Sequence, residues 1–334
     1  GLLAAEISRR FPSLEQLRFC NSGTEANLLA LSTARAITGR STLLVFEGAY
    51  HGSLLYFGRH EPPINAPLPV VKAPYNDAAE TFRLIDQHAG VLAAAIIEPM
   101  QGSAGCIPAD REFLVALRQA CDRHGIILIF DEVMTSRLSP GGRQAALNII
   151  PDMTTLGKYL GGGLSFGAFG GRRHLMERFD PRREDAIPHG GTFNNNVLSM
   201  AAGLAGLTKI LTPDAIADVN RRGDRLRDRL NATAAKRGLP VKATGIGSLI
   251  GLHFTRSEVR SPADLATDEA GQARRAKLQE LLHLDLIEHG QFMARRGFIS
   301  LSLPQTDSDC DGLVAAFDEF LAVRGPLVLA NTPS

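Results

Sequence analysis

The feature that most constrains this sequence is an alternation of short apolar runs with amphipathic helical stretches. Leu43–Phe46, Ala93–Ile97 and Ile126–Phe130 each read as a buried strand, and Gly167–Gly171 reads as another. Between the second and third runs lies a helical stretch, Asp110–Arg123. Phe113, Leu114, Leu117 and Cys121 share one of its faces, and Gly125 is placed to stop it. Strands that alternate with helices are joined by crossovers, and crossovers leave neighbouring strands parallel. The expectation is an α/β domain with a mostly parallel central sheet and helices on both faces.

The pattern changes after the Ala- and Leu-rich helical stretch Val197–Leu211. Thr212-Pro213 ends or restarts that helix, charged helices follow, and Leu249–Phe254 and Phe298–Leu303 read as strands. With 334 residues the chain is longer than one hydrophobic core usually serves. We therefore expect a large domain over 1–211 and a smaller C-terminal α+β domain over 212–334.

Composition excludes several classes of function. A net charge of +1, from 36 basic and 35 acidic residues, gives no field to gather nucleic acid or an anionic membrane. The Arg-rich stretch Asn220–Leu230 is interleaved with Asp224 and Asp228 and follows Asp218, and reads as a solvated helix face. Cys20, Cys106, Cys121 and Cys310 are scattered, with no C-x-x-C pair. That argues against a metal site or a disulfide framework and fits a reducing, cytoplasmic setting. No apolar run reaches membrane-spanning length. The sequence starts at Gly1 rather than Met, so it excludes a targeting segment only weakly.

Five short motifs carry chemistry, and each also has a plain structural reading. Asn21-Ser22-Gly23-Thr24-Glu25-Ala26-Asn27 precedes a helix running to about Ile37. Small residues at a helix start present N–H groups and a positive dipole end to a phosphate, although Ser and Thr stand there for capping alone. Asp131, in Ile129-Phe130-Asp131-Glu132-Val133, ends a buried strand where open α/β sheets bind ligands. It suits a protonated ring nitrogen or a simple turn cap. Lys158 lies in Thr154-Thr155-Leu156-Gly157-Lys158-Tyr159-Leu160-Gly161-Gly162-Gly163. Burial there would supply the neutral amine that imine formation needs, whereas most lysines are solvated. Thr192, in His189-Gly190-Gly191-Thr192-Phe193-Asn194-Asn195-Asn196, offers a second phosphate contact or a turn. Tyr50, in Glu47-Gly48-Ala49-Tyr50-His51-Gly52, offers a ring to stack on a flat cofactor or a half-buried turn residue.

In this order the motifs resemble the class III aminotransferases, the group that includes glutamate-1-semialdehyde aminomutase. The resemblance runs from about Glu15 to Leu303 and is most specific over Pro151–Arg173. It implies pyridoxal-5′-phosphate (PLP) fold type I, PLP as the cofactor, an amino donor and a 2-oxo acid acceptor as substrates, and a homodimer. It also implies roles. Lys158 resembles the lysine that carries PLP as a Schiff base and then serves as general base. Asp131 resembles the acid on the pyridine nitrogen. Ser22, Gly23 and Thr24 resemble the phosphate cup, and Thr192 the phosphate ligand given by the neighbouring subunit. Tyr50 and Val133 resemble the contacts on the two faces of the cofactor ring, and Glu98 a carboxylate near it. Family members also carry an N-terminal segment ahead of the first residues here, lining the substrate pocket and the dimer contact.

The substrate is less constrained. Asp131–Gly142 and the Thr-Phe-Asn-Asn-Asn run are similar to transaminases of β-amino acids such as β-phenylalanine. Intramolecular amine transfer, as in the aminomutase, is the alternative; there the Thr192 region reads Gly-Thr-Leu-Ser-Gly-Asn-Pro, and Phe193 and Val197 depart from it. A substrate carboxylate calls for an arginine, with Arg295 and Arg137 as candidates and a surface role open for each. A nicotinamide-binding reading fails, because Gly245-Ile-Gly247-Ser-Leu-Ile-Gly251 misplaces its last glycine and lacks the strand–turn–helix setting. A PLP-fold protein that binds without turnover has no need of Lys158, Asp131 and Thr192 together.

Overall fold

A computed structural model describes residues 1–58 and 60–332. The chain divides into two compact units. The first holds Gly1–Pro99 and Ala109–Ile216; the second holds Met100–Pro108 and Ala217–Ser334.

The first unit is built on β1 (Gln16–Cys20), β2 (Thr42–Phe46), β3 (Val70–Ala73) and β4 (Leu92–Ile97). After the excursion β5 (Met100–Gln101) and β6 (Ile107–Pro108) come β7 (Ile127–Asp131), β8 (Met153–Gly157) and β9 (Gly167–Gly171). Seven of these form one sheet in the order β1-β9-β8-β7-β4-β2-β3. β3, β2, β4, β7 and β8 are parallel, while β9 runs antiparallel to both of its neighbours, β8 and β1. The mostly parallel sheet expected from the alternation is present, with Gly167–Gly171 as its one reversed strand.

Helices cover both faces. They are α1 (Leu2–Arg10), α2 (Gly23–Thr38), α3 (Ala78–His88), α4 (Arg111–His124), the short α5 (Gly142–Leu147) and α6 (Arg173–Met176), and α7 (Val197–Ala205). On β2, Leu43 and Val45 share a core with Ala26, Ala30, Leu31 and Ala34 of α2. The next residue, Phe46, points the other way and packs edge-on to Phe113 of α4, with ring centroids 5.7 Å apart. A strand covered on both sides needs apolar residues throughout, which is why Leu92–Ile97 is buried end to end instead of alternating. Helix α4 stops where expected, at Gly125 in the left-handed conformation.

Two elements differ from expectation. The α-helix from Val197 ends at Ala205, and Gly206–Ile210 is a wider π turn with Leu211 N bonded to Gly206 O. The Arg10 guanidinium donates to the Leu207 and Leu211 carbonyls there, so the widened turn keeps its acceptors satisfied. The strand at Phe298 is short, Phe298–Ser300, because Gln305 Oε1 accepts from Ser302 N and turns the chain before Pro304.

The second unit carries a sheet in the order β10 (Val241–Ile246), β11 (Leu249–Phe254), β12 (Phe298–Ser300), packed with α8 (Pro213–Lys236), α9 (Glu269–Glu288) and α10 (Asp307–Asn331). The Arg-rich face of α8 is solvated as expected: Arg227 pairs with Asp224 and Asp228, and Arg222 and Arg225 pair with Asp307. The β5–β6 hairpin joins this unit through Gly105, whose carbonyl accepts from Thr244 Oγ1 at 2.7 Å and His253 Nε2 at 3.0 Å. Burial holds the His253 imidazole down at about 4, so it is neutral in this contact. Phe254 is fully buried and meets Phe320 edge-on. Phe254→Ala is expected to cost about 3–5 kcal/mol. Urea unfolding checks this, and a loss under about 1 kcal/mol would mean the site collapses around the gap.

Candidate active site

The residues singled out in the first unit converge because of strand direction. β1, β2, β4, β7 and β8 all run the same way, β1 and β8 being each antiparallel to β9. Ser22–Thr24 follow β1, Tyr50 follows β2, Glu98 follows β4, Asp131 ends β7, and Lys158 follows β8. The topology thus brings all of them to the carboxyl edge of one sheet, where open α/β sheets bind ligands.

The start of α2 is built for an anion. Ser22 is extended and its hydroxyl accepts from Glu25 N, while the Glu25 carboxylate accepts from Asn21 N at 2.7 Å. Gly23 and Thr24 N–H are left without helical acceptors at the positive end of the dipole. Neighbouring loops close tightly on this turn. A side chain on Gly23 would come 2.9 Å from Val133 Cγ1, and one on Gly52, at φ +116°, would overlap Thr24 Oγ1. Only glycine fits at Gly52, and any side chain at Gly23 would push the Val133 methyls aside.

Asp131 is buried in a polar network. Its Oδ2 accepts from Asn27 Nδ2 and lies beside His51 Nδ1, both at 2.8 Å; its Oδ1 accepts from Val133 N at 3.0 Å. Asn27 is itself held by Thr155 Oγ1 at 2.6 Å and donates to His51 O. Glu98, also buried, accepts from Tyr50 N at 2.9 Å and so anchors the loop bearing that ring. Tyr50 is 40% exposed and its ring sits edge-on to Tyr56. Val133 packs its methyls against Gly23 and Gly157.

Lys158 departs from expectation. The sequence reading wants a buried amine, but Lys158 is exposed in this chain. It is the first residue beyond a strand, in a tight turn Lys158–Gly161, with exposed glycines after it. Its backbone takes φ +53°, in the left-handed region that non-glycine residues rarely adopt and that is held most often at functional sites. The adjacent Gly157 abuts Gly23, so the lysine leaves the strand beside the α2 start.

Thr192 is exposed, on a loop tied to the α2 start by Asn21 Nδ2 donating to Asn194 Oδ1 at 2.9 Å. Arg137 is half-buried in the turn Thr135–Leu138, and burial pulls its guanidinium below the usual arginine range. Arg295 lies in the second unit, largely exposed and paired with Glu280 at 2.7 Å.

Sequence reasoning did not assign Asn27, His51, Thr155 or Glu132. All four stand inside the motifs given above; the signal is a polar residue at a site the fold buries. Glu132 accepts from Thr135 Oγ1, Arg143 N, Gln144 N and Gln144 Nε2. Burial pushes its carboxyl above the usual range and those donors oppose the shift. The result is a fixed loop from Val133 to Gln144 behind Asp131.

A parallel sheet with an anion-binding helix start, a strand-end carboxylate and a lysine on one edge defines the PLP enzymes of fold type I. The residues present suit that cofactor. Oδ1 of Asp131 keeps acceptor capacity, the helix start can hold a phosphate monoester, and the Lys158 amine is accessible. The class-III aminotransferase profile matches residues 1–276, and the chain belongs to that family of PLP-dependent amino-transferring enzymes. It is 49% identical over 328 residues to the β-phenylalanine transaminase of Variovorax paradoxus, covering 98% of this chain and 74% of that one. A crystal structure of a β-phenylalanine aminotransferase from that organism superposes with a TM-score of 0.94 at 50% identity, covering 98% and 74%. The glutamate-1-semialdehyde 2,1-aminomutase of Chlorobaculum tepidum is 36% identical over 331 residues, covering 94% and 75%. No helix among the described residues is long and apolar enough to cross a membrane.

Proposed function

We propose that this aminotransferase takes the amino group of a β-amino acid of the β-phenylalanine type and passes it to a 2-oxo acid. The observation that carries the substrate reading is the 49% identity to a β-phenylalanine transaminase, against 36% to an aminomutase, over nearly the same length. Phe193 and Val197, which depart from the aminomutase pattern, point the same way.

Bound PLP supplies an electron sink for the pair left when a C–H bond breaks. Lys158 would hold the cofactor through its amine and, once the substrate's amine has taken its place, the freed amine would move a proton from the substrate carbon bearing nitrogen. Asp131 accepts from a protonated ring nitrogen through Oδ1 and holds the charge that keeps that proton in place. Ser22, Gly23 and Thr24 would hold the phosphate, and Tyr50 and Val133 would pack against the cofactor ring, with Glu98 fixing the Tyr50 loop. Arg137, half-buried in the turn after Asp131 in the first unit, is the candidate for a substrate carboxylate, with Arg295 in the second unit as the other.

The enzyme acts as a cytoplasmic homodimer in which Thr192 reaches the partner's phosphate. Supporting this, Phe193, Val197 and Leu198 beside Thr192 are 67%, 75% and 65% exposed, an apolar patch that a second copy would cover. We read the two compact units as the large and small domains of the family, with the division after Ile216 rather than Leu211 and with Met100–Pro108 in the second.

A donor screen tests the substrate reading. With pyruvate or 2-oxoglutarate as acceptor, β-phenylalanine is expected to be the better donor than α-amino acids and simple ω-amines. Conversion of glutamate 1-semialdehyde without an acceptor, and no turnover of β-phenylalanine, would put the aminomutase reading in its place.

A further inference from the structure

The imidazole of His51 has no part in the roles above, yet it is fully buried against Asp131. Its Nδ1 lies 2.8 Å from Asp131 Oδ2, and its Nε2 is buried with no hydrogen-bond partner among the described residues. The contacts indicate the tautomer. A carboxylate only accepts, so Nδ1 carries the proton. With Nε2 without a partner among the described residues, the bond to Asp131 is the ring's one hydrogen bond there.

The donors on Asp131 are unevenly shared. Oδ2 takes both His51 Nδ1 and Asn27 Nδ2, whereas Oδ1 takes Val133 N alone. Rotating the carboxylate out of this plane would break both bonds on the oxygen facing His51 and Asn27, whereas a full half-turn only exchanges two equivalent oxygens. The main chain beneath the ring is fixed, because His51 N donates to Leu55 O and His51 O accepts from Asn27 Nδ2, and the ring itself is buried. We propose that His51 is a positioning residue for amino transfer, whose Nδ1–H fixes the plane of the Asp131 carboxylate, so that the oxygen on the Val133 side is the one offered to the cofactor ring nitrogen. The proposal rests on the role given to Asp131 above.

The PLP-loaded enzyme with His51→Leu and His51→Asn tests it. Leucine fills the space without a donor; asparagine places an amide N–H near the position of Nδ1. His51→Leu is expected to lower kcat about 10- to 100-fold, the loss of one hydrogen bond to a charged group, with KM for the amine within about twofold. It should also move the visible absorption maximum of the bound cofactor. His51→Asn should recover most of both. A leucine variant with wild-type kcat and absorption, or an asparagine variant no better than leucine, overturns the proposal. If His51→Leu does not fold, the asparagine variant decides: it must keep kcat within about tenfold of wild type. Asp131→Asn runs alongside, alone and combined with His51→Leu, and the double variant should be no slower than Asp131→Asn. Near-normal turnover of Asp131→Asn alone removes the role of Asp131 and this one with it. A normal His51→Leu beside a crippled Asp131→Asn removes this one only.

Discussion

Lys158→Ala is expected to reduce amino transfer by at least about 10⁴-fold, because one side chain supplies both the covalent anchor and the proton relay. Stability should barely change. The side chain is exposed and makes no hydrogen bond or ion pair among the described residues, so truncation should stay within about 0.5 kcal/mol. That contrast separates a chemical role from a structural one. Borohydride treatment of the wild-type protein should fix the cofactor to the peptide containing Lys158, as read by peptide mass, while the alanine variant should lose PLP on dialysis. Partial return of turnover with added methylamine would identify the missing group as an amine. An alanine variant that keeps appreciable turnover sinks the assignment of Lys158.

Asp131→Asn is expected to keep the cofactor bound and to lower kcat by about 10²–10³-fold. The geometry shows why an isosteric change matters. Asn27 and His51 donate towards the Oδ2 position and Val133 N towards the Oδ1 position. An asparagine can turn its carbonyl to the first pair only by facing its NH₂ at Val133 N–H. The acceptor at Oδ1 and the negative charge are both gone. The facing donors should also cost about 1–3 kcal/mol of stability. Steady-state kinetics and absorbance after dialysis check the two halves, and near-normal turnover would count against the acid's role.

Much of this was legible in the residues themselves. Leu43–Phe46 and Ala93–Ile97 declare buried strands because both faces of a parallel strand must be apolar, and Gly125 declares a helix stop because few other residues take a left-handed backbone. Ser22-Gly23-Thr24, Asp131 and Lys158 were readable as chemistry only as an ordered set, since each alone fits a cap, a turn or a solvated surface. The strands β1, β3, β5, β6, β8 and β10 passed unnoticed: Gln16–Cys20 mixes polar and apolar residues without a strong period, β5 and β6 are two residues long, and Val241–Ile246 alternates but is short and carries Gly245.

The sequence by itself settled the fold class, the family and the kinds of side chain available for catalysis, because those depend on local periodicity and residue type. Only the tertiary structure decided that Asn27, His51 and Thr155 meet Asp131, that Lys158 stands exposed in a left-handed backbone, and that Met100–Pro108 joins the second unit through Gly105 and His253. Each of these joins residues distant in sequence or fixes a backbone angle through surrounding packing. Neither can be read from local pattern, because the energy that determines them belongs to contacts formed only once the sheet has assembled.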